Sequence, residues 1–68
     1  MLMGTAREAK LHYLDGTFRL LSAGDHVRCA ITGATIALDE LRYWSVERQE
    51  AYADADASLE AERRAGKI

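Results

Sequence analysis

Cys29-Ala30-Ile31-Thr32-Gly33 and Tyr43-Trp44-Ser45-Val46-Glu47-Arg48-Gln49-Glu50-Ala51-Tyr52 are the stretches that decide how this chain folds. The first closes an alternating segment, His26 to Ile31. Val27, Cys29 and Ile31 fall on one face and His26 and Arg28 on the other, the period of a half-buried strand. Thr32-Gly33-Ala34 breaks it. The second stretch carries the chain into a helix. Ser45 reads as an N-cap whose hydroxyl accepts from the amides of Glu47 or Arg48. Glu47 and Glu50 suit the positive end of a helix dipole. A helix is expected from Val46 to about Arg64, rich in alanine and free of glycine and proline. Gly66 is its terminator, and Glu60 and Arg64 form a favourable pair one turn apart.

Upstream, Lys10 to Leu14 and Thr17 to Leu21 flank Asp15-Gly16. This is a strong signal for a two-residue hairpin, with a type I′ turn that takes positive φ at both central residues. Pairing outward sets Tyr13 opposite Phe18 and Leu11 opposite Leu20 on one face, with His12 and Arg19 on the other. Ser22 to Asp25 is a second turn. Ile36 and Leu38 mark another extended piece. Leu41 to Trp44 is either a strand folded back on it, with Leu38 opposite Leu41, or an irregular turn into the helix.

The expected fold is a small α+β domain: an antiparallel sheet of two hairpins, about four strands, followed by one C-terminal helix. Residues 1–9 are expected as a flexible arm, 10–64 as the domain, and 65–68 as a loose end. The core is expected to draw on Leu11, Tyr13, Phe18, Leu20, Val27, Cys29, Ile31, Ile36, Leu38, Leu41, Tyr43, Trp44, Val46 and Tyr52.

Composition narrows function. A chain of 68 residues buries only about 60% of the surface it exposes when unfolded. One cysteine excludes an internal disulfide, and no Cys/His cluster invites a structural metal. Net charge is −2, with no basic stripe of the kind that neutralises phosphates, so nucleic acid is not an expected partner. No run approaches the roughly 20 apolar residues of a membrane span. A lone thiol and the lack of a secretory signal point to the cytoplasm.

No residue is expected to be catalytic and no cofactor is expected. Cys29 lies on the buried face, where a free cysteine acts as a small core residue. His12 and His26 lack the close spacing of zinc ligands. No phosphate loop, nucleophile elbow or dinucleotide fingerprint is present. A chain this short struggles to enclose a pocket of roughly 300–1,000 Å³. Two binding surfaces remain. Tyr52, Ala55 and Leu59 form one stripe of the expected helix, suited to a protein partner or a second copy. His12, Arg19, His26 and Arg28 share the polar sheet face expected of the strands, and could gather positive potential for an anion or RNA. Trp44 is expected in the core, where the chain turns into the helix.

Tyr13-Leu14-Asp15-Gly16, Val27 to Gly33, Ile36, and Leu38 through Tyr52 together resemble a family of short bacterial proteins defined as a domain of unknown function. That resemblance implies no activity, cofactor or catalytic residue. A weaker, architectural resemblance is to zinc ribbons and treble clefs that have lost their ligands. Cys29-x-x-Thr32-Gly33 is similar to a zinc knuckle with one ligand replaced, and Trp44 and Arg48 stand near the second pair. It implies a hairpin-then-helix core with no metal. The leading expectation is a non-catalytic module for protein interaction or self-association.

Overall fold

The computed structural model describes residues 7–67. It is a small α+β fold built from three antiparallel hairpins and one C-terminal helix. The strands are β1 (Lys10–Leu14), β2 (Thr17–Ser22), β3 (His26–Arg28), β4 (Thr35–Ala37), β5 (Tyr43–Ser45) and β6 (Glu50–Tyr52), and the helix is α1 (Ala55–Arg64). They pair β1 with β2, β3 with β4, and β5 with β6. A 3-10 turn, Leu38–Glu40, leads out of β4.

The first hairpin has the register expected of Asp15-Gly16. Tyr13 faces Phe18, Leu11 faces Leu20 and His12 faces Arg19, and a bulge follows at Lys10/Leu11. Its turn differs. Only Gly16 takes positive φ, at +75°, which is the sign pattern of a type II turn rather than type I′.

The second hairpin is shorter than the alternation suggested. Val27 pairs with Ile36, but the strand ends at Arg28. Cys29 to Gly33 curls on itself: the Gly33 amide donates to the Cys29 carbonyl at 2.9 Å, and the Cys29 amide to the Ala34 carbonyl at 2.9 Å. Gly33 sits at φ +77°, a conformation open to glycine.

The largest departure is at Val46. The helix expected there starts nine residues later. Residues 46–49 form a hairpin turn, and β6 runs back along β5 with Trp44 opposite Ala51. Tertiary burial overrides helix propensity here. As a strand, this segment buries Tyr52 to 1% exposure and lets the Ala51 carbonyl accept the Ala30 amide at 2.8 Å. The Ser45 hydroxyl does accept the Arg48 amide, at 2.9 Å, but it closes a turn and caps no helix. The helix cap is Asp54, whose carboxylate accepts the Ala57 amide at 2.8 Å. At the other end the Gly66 amide bonds the Arg63 carbonyl and the Lys67 amide the Glu62 carbonyl. With Gly66 at φ +77°, this is a Schellman termination. Residues 65–67 are therefore tied down, and residue 68 lies outside the described residues.

The core holds Ala9, Tyr13, Val27, Cys29, Ile36, Leu41, Ala51, Tyr52, Ala57 and Ala61. Ala57 and Ala61 are one turn apart on α1, so the helix approaches the sheet closely. Leu20, Tyr43 and Val46 were expected inside and are instead exposed. Leu20 lies beyond Phe18 on β2, away from Trp44, and Val46 sits on the β5–β6 turn. His26 was expected outside and is buried. Its Nδ1 is hydrogen-bonded to the Asp25 carboxylate at 2.7 Å, which supplies the polar partner that burial demands.

The arm expected at residues 1–9 falls outside the described residues up to position 6. Residues 7–9 are fixed. The Ala9 amide donates to the His26 carbonyl at 2.7 Å, and the Asp25 amide to the Arg7 carbonyl at 3.0 Å. Gly24 makes this possible, because a Cβ there would lie 2.6 Å from both the Ala9 Cα and the Arg7 carbonyl oxygen. Gly24→Ala should therefore destabilise the fold by about 1–3 kcal/mol and speed exchange of the Ala9 amide. Urea unfolding and amide exchange measure both effects, and an unchanged midpoint would contradict the close packing.

Candidate functional site

The residues from Trp44 to Tyr52 form a polar cluster at the junction of the first hairpin, the third hairpin and α1. Trp44 is half-buried against Tyr13 and Phe18, with ring centroids 6.1 and 5.8 Å away. Its indole N–H donates to the Leu14 carbonyl at 2.9 Å. It packs as a core residue, as expected, though on β1 and β2 rather than within a helix entrance.

Gln49 does more. Its side-chain oxygen accepts the Tyr13 amide at 2.9 Å. Its side-chain nitrogen donates to the Tyr13 carbonyl at 2.8 Å and to the Val46 carbonyl at 2.7 Å. The carboxamide thus reproduces the two hydrogen bonds that a neighbouring strand would make. Gln49 reaches this pose at φ +55°, an uncommon value for a residue with a Cβ.

Arg48 ties the same turn to the helix. Its guanidinium donates to the Tyr52 hydroxyl at 3.2 Å and to the Glu62 carboxylate, with the Glu50 carboxylate 3.5 Å away. Tyr52 donates onward to Glu50 at 2.8 Å. The Glu62 hydrogen bond, then that of Tyr52, raises the Arg48 pKa still further above its ordinary value. Burial, followed by the Glu50 carboxylate, raises that of Tyr52. Burial also raises that of Tyr13, with a smaller push from Glu8. Nearby, Lys67 bonds Glu47 at 2.8 Å.

Cys29 is buried at 3% exposure. Burial pushes its thiol up, but hydrogen bonds from Thr32, Ala53 and Ile31 outweigh it, leaving the thiol below its usual value. The Thr32 amide lies 3.4 Å from the sulfur. Thr32, Trp44 and Arg48, the residues that the zinc-ribbon resemblance set near ligand positions, are engaged elsewhere. The Thr32 hydroxyl accepts the Ala34 amide at 3.2 Å, the Trp44 indole is held by Leu14 and Arg48 by Glu62. Among the described residues, no three of His, Cys, Asp and Glu gather as a metal site.

The two expected binding surfaces do not assemble as drawn. Tyr52 is on β6 and buried, while Ala55 and Leu59 are exposed on α1, so no common stripe exists. His12 and Arg19 are exposed on the first hairpin. Arg28 is exposed on the second, 3.3 Å from the Gly33 carbonyl and from the Thr35 hydroxyl, and His26 points inward. The four belong to two separate two-stranded sheets, and they make no single anion face. A cleft of about 450 Å³ lies between the first hairpin turn and β5, beside Asp15, Arg42, Tyr43 and Trp44. The sequence gives Arg48 only a place near the second ligand pair of the zinc-ribbon resemblance, and gives Gln49 no site role. Their signal was a pair of long polar side chains in the middle of an otherwise well-patterned block.

This geometry defines a small α+β domain whose polar residues are engaged mainly in holding its parts together. A family model described as "Uncharacterized protein conserved in bacteria (DUF2093)" matches residues 20–61, more than half of the chain, and the chain belongs to that family. No curated protein matches, and no solved structure matches. Among the described residues no helix is long and apolar enough to cross a membrane.

Gln49→Glu keeps the acceptor for the Tyr13 amide but sets a carboxylate against the Tyr13 and Val46 carbonyls. It should lower stability at neutral pH by about 1–3 kcal/mol, with partial recovery on acidification, as read by urea unfolding across pH. The tyrosines give a second test. A folded-state pKa raised above the unfolded value, near 10, contributes stability that is complete below that value and is lost as pH rises through the folded one. The thermal midpoint should hold to about pH 9 and fall above pH 10, and Tyr52→Phe should reduce that alkaline loss.

Proposed function

We propose that this chain is a non-catalytic interaction module that works in the cytoplasm by binding another protein or a second copy of itself. The observation that supports the reading is where the bulky apolar side chains lie. Among the described residues the large buried side chains are Tyr13, Val27, Ile36, Leu41 and Tyr52, while Leu20, Leu21, Tyr43, Val46 and Leu59 are exposed. Leu20 and Leu21 are the most exposed of these, at 55% and 67%, and they are adjacent on β2. Scattered apolar residues on a surface are ordinary. An adjacent pair on a sheet edge, in a chain with so few large apolar residues in its core, favours a partner.

The catalytic alternative has less support. Cys29 is buried beneath its own loop, and the polar groups of the Arg48 cluster satisfy one another. The RNA or anion alternative loses its motivation with the separation of His12 and Arg19 from His26 and Arg28.

The test compares the tagged full chain with a Leu20→Glu/Leu21→Glu double variant, each first shown to be folded by circular dichroism. The wild type should sediment as a complex or co-purify with a stoichiometric protein, and the double variant should lose about 90% or more of it, a change of about 1.4 kcal/mol or more. A wild-type monomer that retains nothing beyond an untagged control would contradict the proposal.

A further inference from the structure

We propose that the outer edge of β2 is a strand-docking site for an extended partner segment that alternates apolar and acidic residues. The inference rests on the interaction reading above and names the surface and the chemistry of its partner.

Both the amide and the carbonyl of Tyr13 bond Gln49, so they point away from β2. Tyr13 and Phe18 are opposite one another and form a pair that exchanges no ladder bonds. In an antiparallel ladder the two members of such a pair aim their N–H and C=O groups outward, and the pattern repeats every second residue. The amides and carbonyls of Phe18 and Leu20 therefore face outward along the free edge of β2, which pairs with β1 alone. Among the described residues none of these four groups takes part in a backbone hydrogen bond to a turn, a loop or another element. On the opposite edge, Gln49 fills the equivalent position at Tyr13. The hairpin is thus completed on one side and open on the other, and a third strand is what such a pair needs for independent stability.

Side chains specify the occupant. Phe18 is half-buried and Leu20 exposed on the Tyr13 face, offering apolar contacts at alternate positions. The opposite face presents Arg19 and His12, with Lys10 beyond them, all exposed. None of the three is in an ion pair among the described residues, although the chain as a whole carries a net charge of −2. A strand laid along this edge places one residue opposite Arg19, and a carboxylate there is complementary. A second copy is disfavoured by the same position. In the symmetric antiparallel register that uses all four outward groups, Phe18 faces Leu20 of the copy and Arg19 faces Arg19, so like charges oppose each other.

The experiment uses the full chain and two eight-residue probe peptides, one alternating valine and glutamate and one alternating valine and lysine. The glutamate peptide should slow exchange of the Phe18 and Leu20 amides by about tenfold or more, and the lysine peptide should not. Leu20→Pro removes an outward donor without taking a ladder bond from β1. It should abolish this protection while the inward amides of His12 and Leu14 stay slow. Should the proline variant lose those inward amides as well, Arg19→Glu decides, because it must switch the preference to the lysine peptide. The proposal is overturned by any of three results: unprotected Phe18 and Leu20 amides at millimolar glutamate peptide, equal protection by both peptides, or protection that appears on concentrating the protein alone. A natural partner that binds wild type, Leu20→Pro and Arg19→Glu equally would uphold the interaction reading and refute this edge.

Discussion

The carboxamide of Gln49 takes the place of a strand. It accepts the amide of Tyr13 and donates to its carbonyl, giving β1 a neighbour on the side away from β2. A lone two-stranded hairpin is marginal in water, so the first hairpin depends on what the third hairpin offers it. The next residue along, Leu14, receives the Trp44 indole. Arg48, adjacent to Gln49, reaches Glu62 on α1. One four-residue turn and the strand before it therefore bind the N-terminal hairpin and the C-terminal helix to the same point.

Polar attachments matter here because the core is thin. Four of its ten apolar residues, Ala9, Ala51, Ala57 and Ala61, are alanine, and each removes little surface from water. Their value is close approach, which lets α1 lie on β5 and β6 and lets Ala51 bridge to Cys29. The hydrogen bonds around Arg48 and Tyr52 then keep the polar groups beneath the helix satisfied. Among the described residues no buried side-chain nitrogen or oxygen lacks a partner. Removing one member of such a set leaves the others desolvated and unpaired, which is costlier than the bond itself.

Much of this was legible from sequence, and the rest failed for physical reasons. The first hairpin and its register follow from Asp15-Gly16 and the flanking alternation, both local signals. The placement of Cys29 and Val27 in the core follows from period-two patterning. The helix end follows from Gly66. The helix start was misread because Val46 to Tyr52 has good helical propensity and a serine in cap position, whereas the gain from burying Tyr52 and pairing Ala51 is tertiary and invisible in a window. His26 departs from the expected outward face where residues 8 and 9 run beside it, with the Ala9 amide bonded to its carbonyl, a contact that local alternation does not show. Leu20 was misplaced because a face shared with Tyr13 is covered only as far as Trp44 reaches. The binding surfaces suggested from sequence inherited these errors, since they assumed one helix and one continuous sheet.

Membership in the DUF2093 family covers residues 20–61. That span includes Trp44, Arg48 and Gln49, while the Tyr13 and Leu14 backbone they hold lies before it. Hydrogen exchange at a single pair of residues tests whether the Gln49 side chain acts as a strand toward β1. Tyr13 and Phe18 face each other across the hairpin and both point their amides outward, but only Tyr13 meets Gln49. The Tyr13 amide should exchange on the order of tenfold or more slowly than that of Phe18 in the native protein. Equal exchange rates at the two positions would contradict the claim.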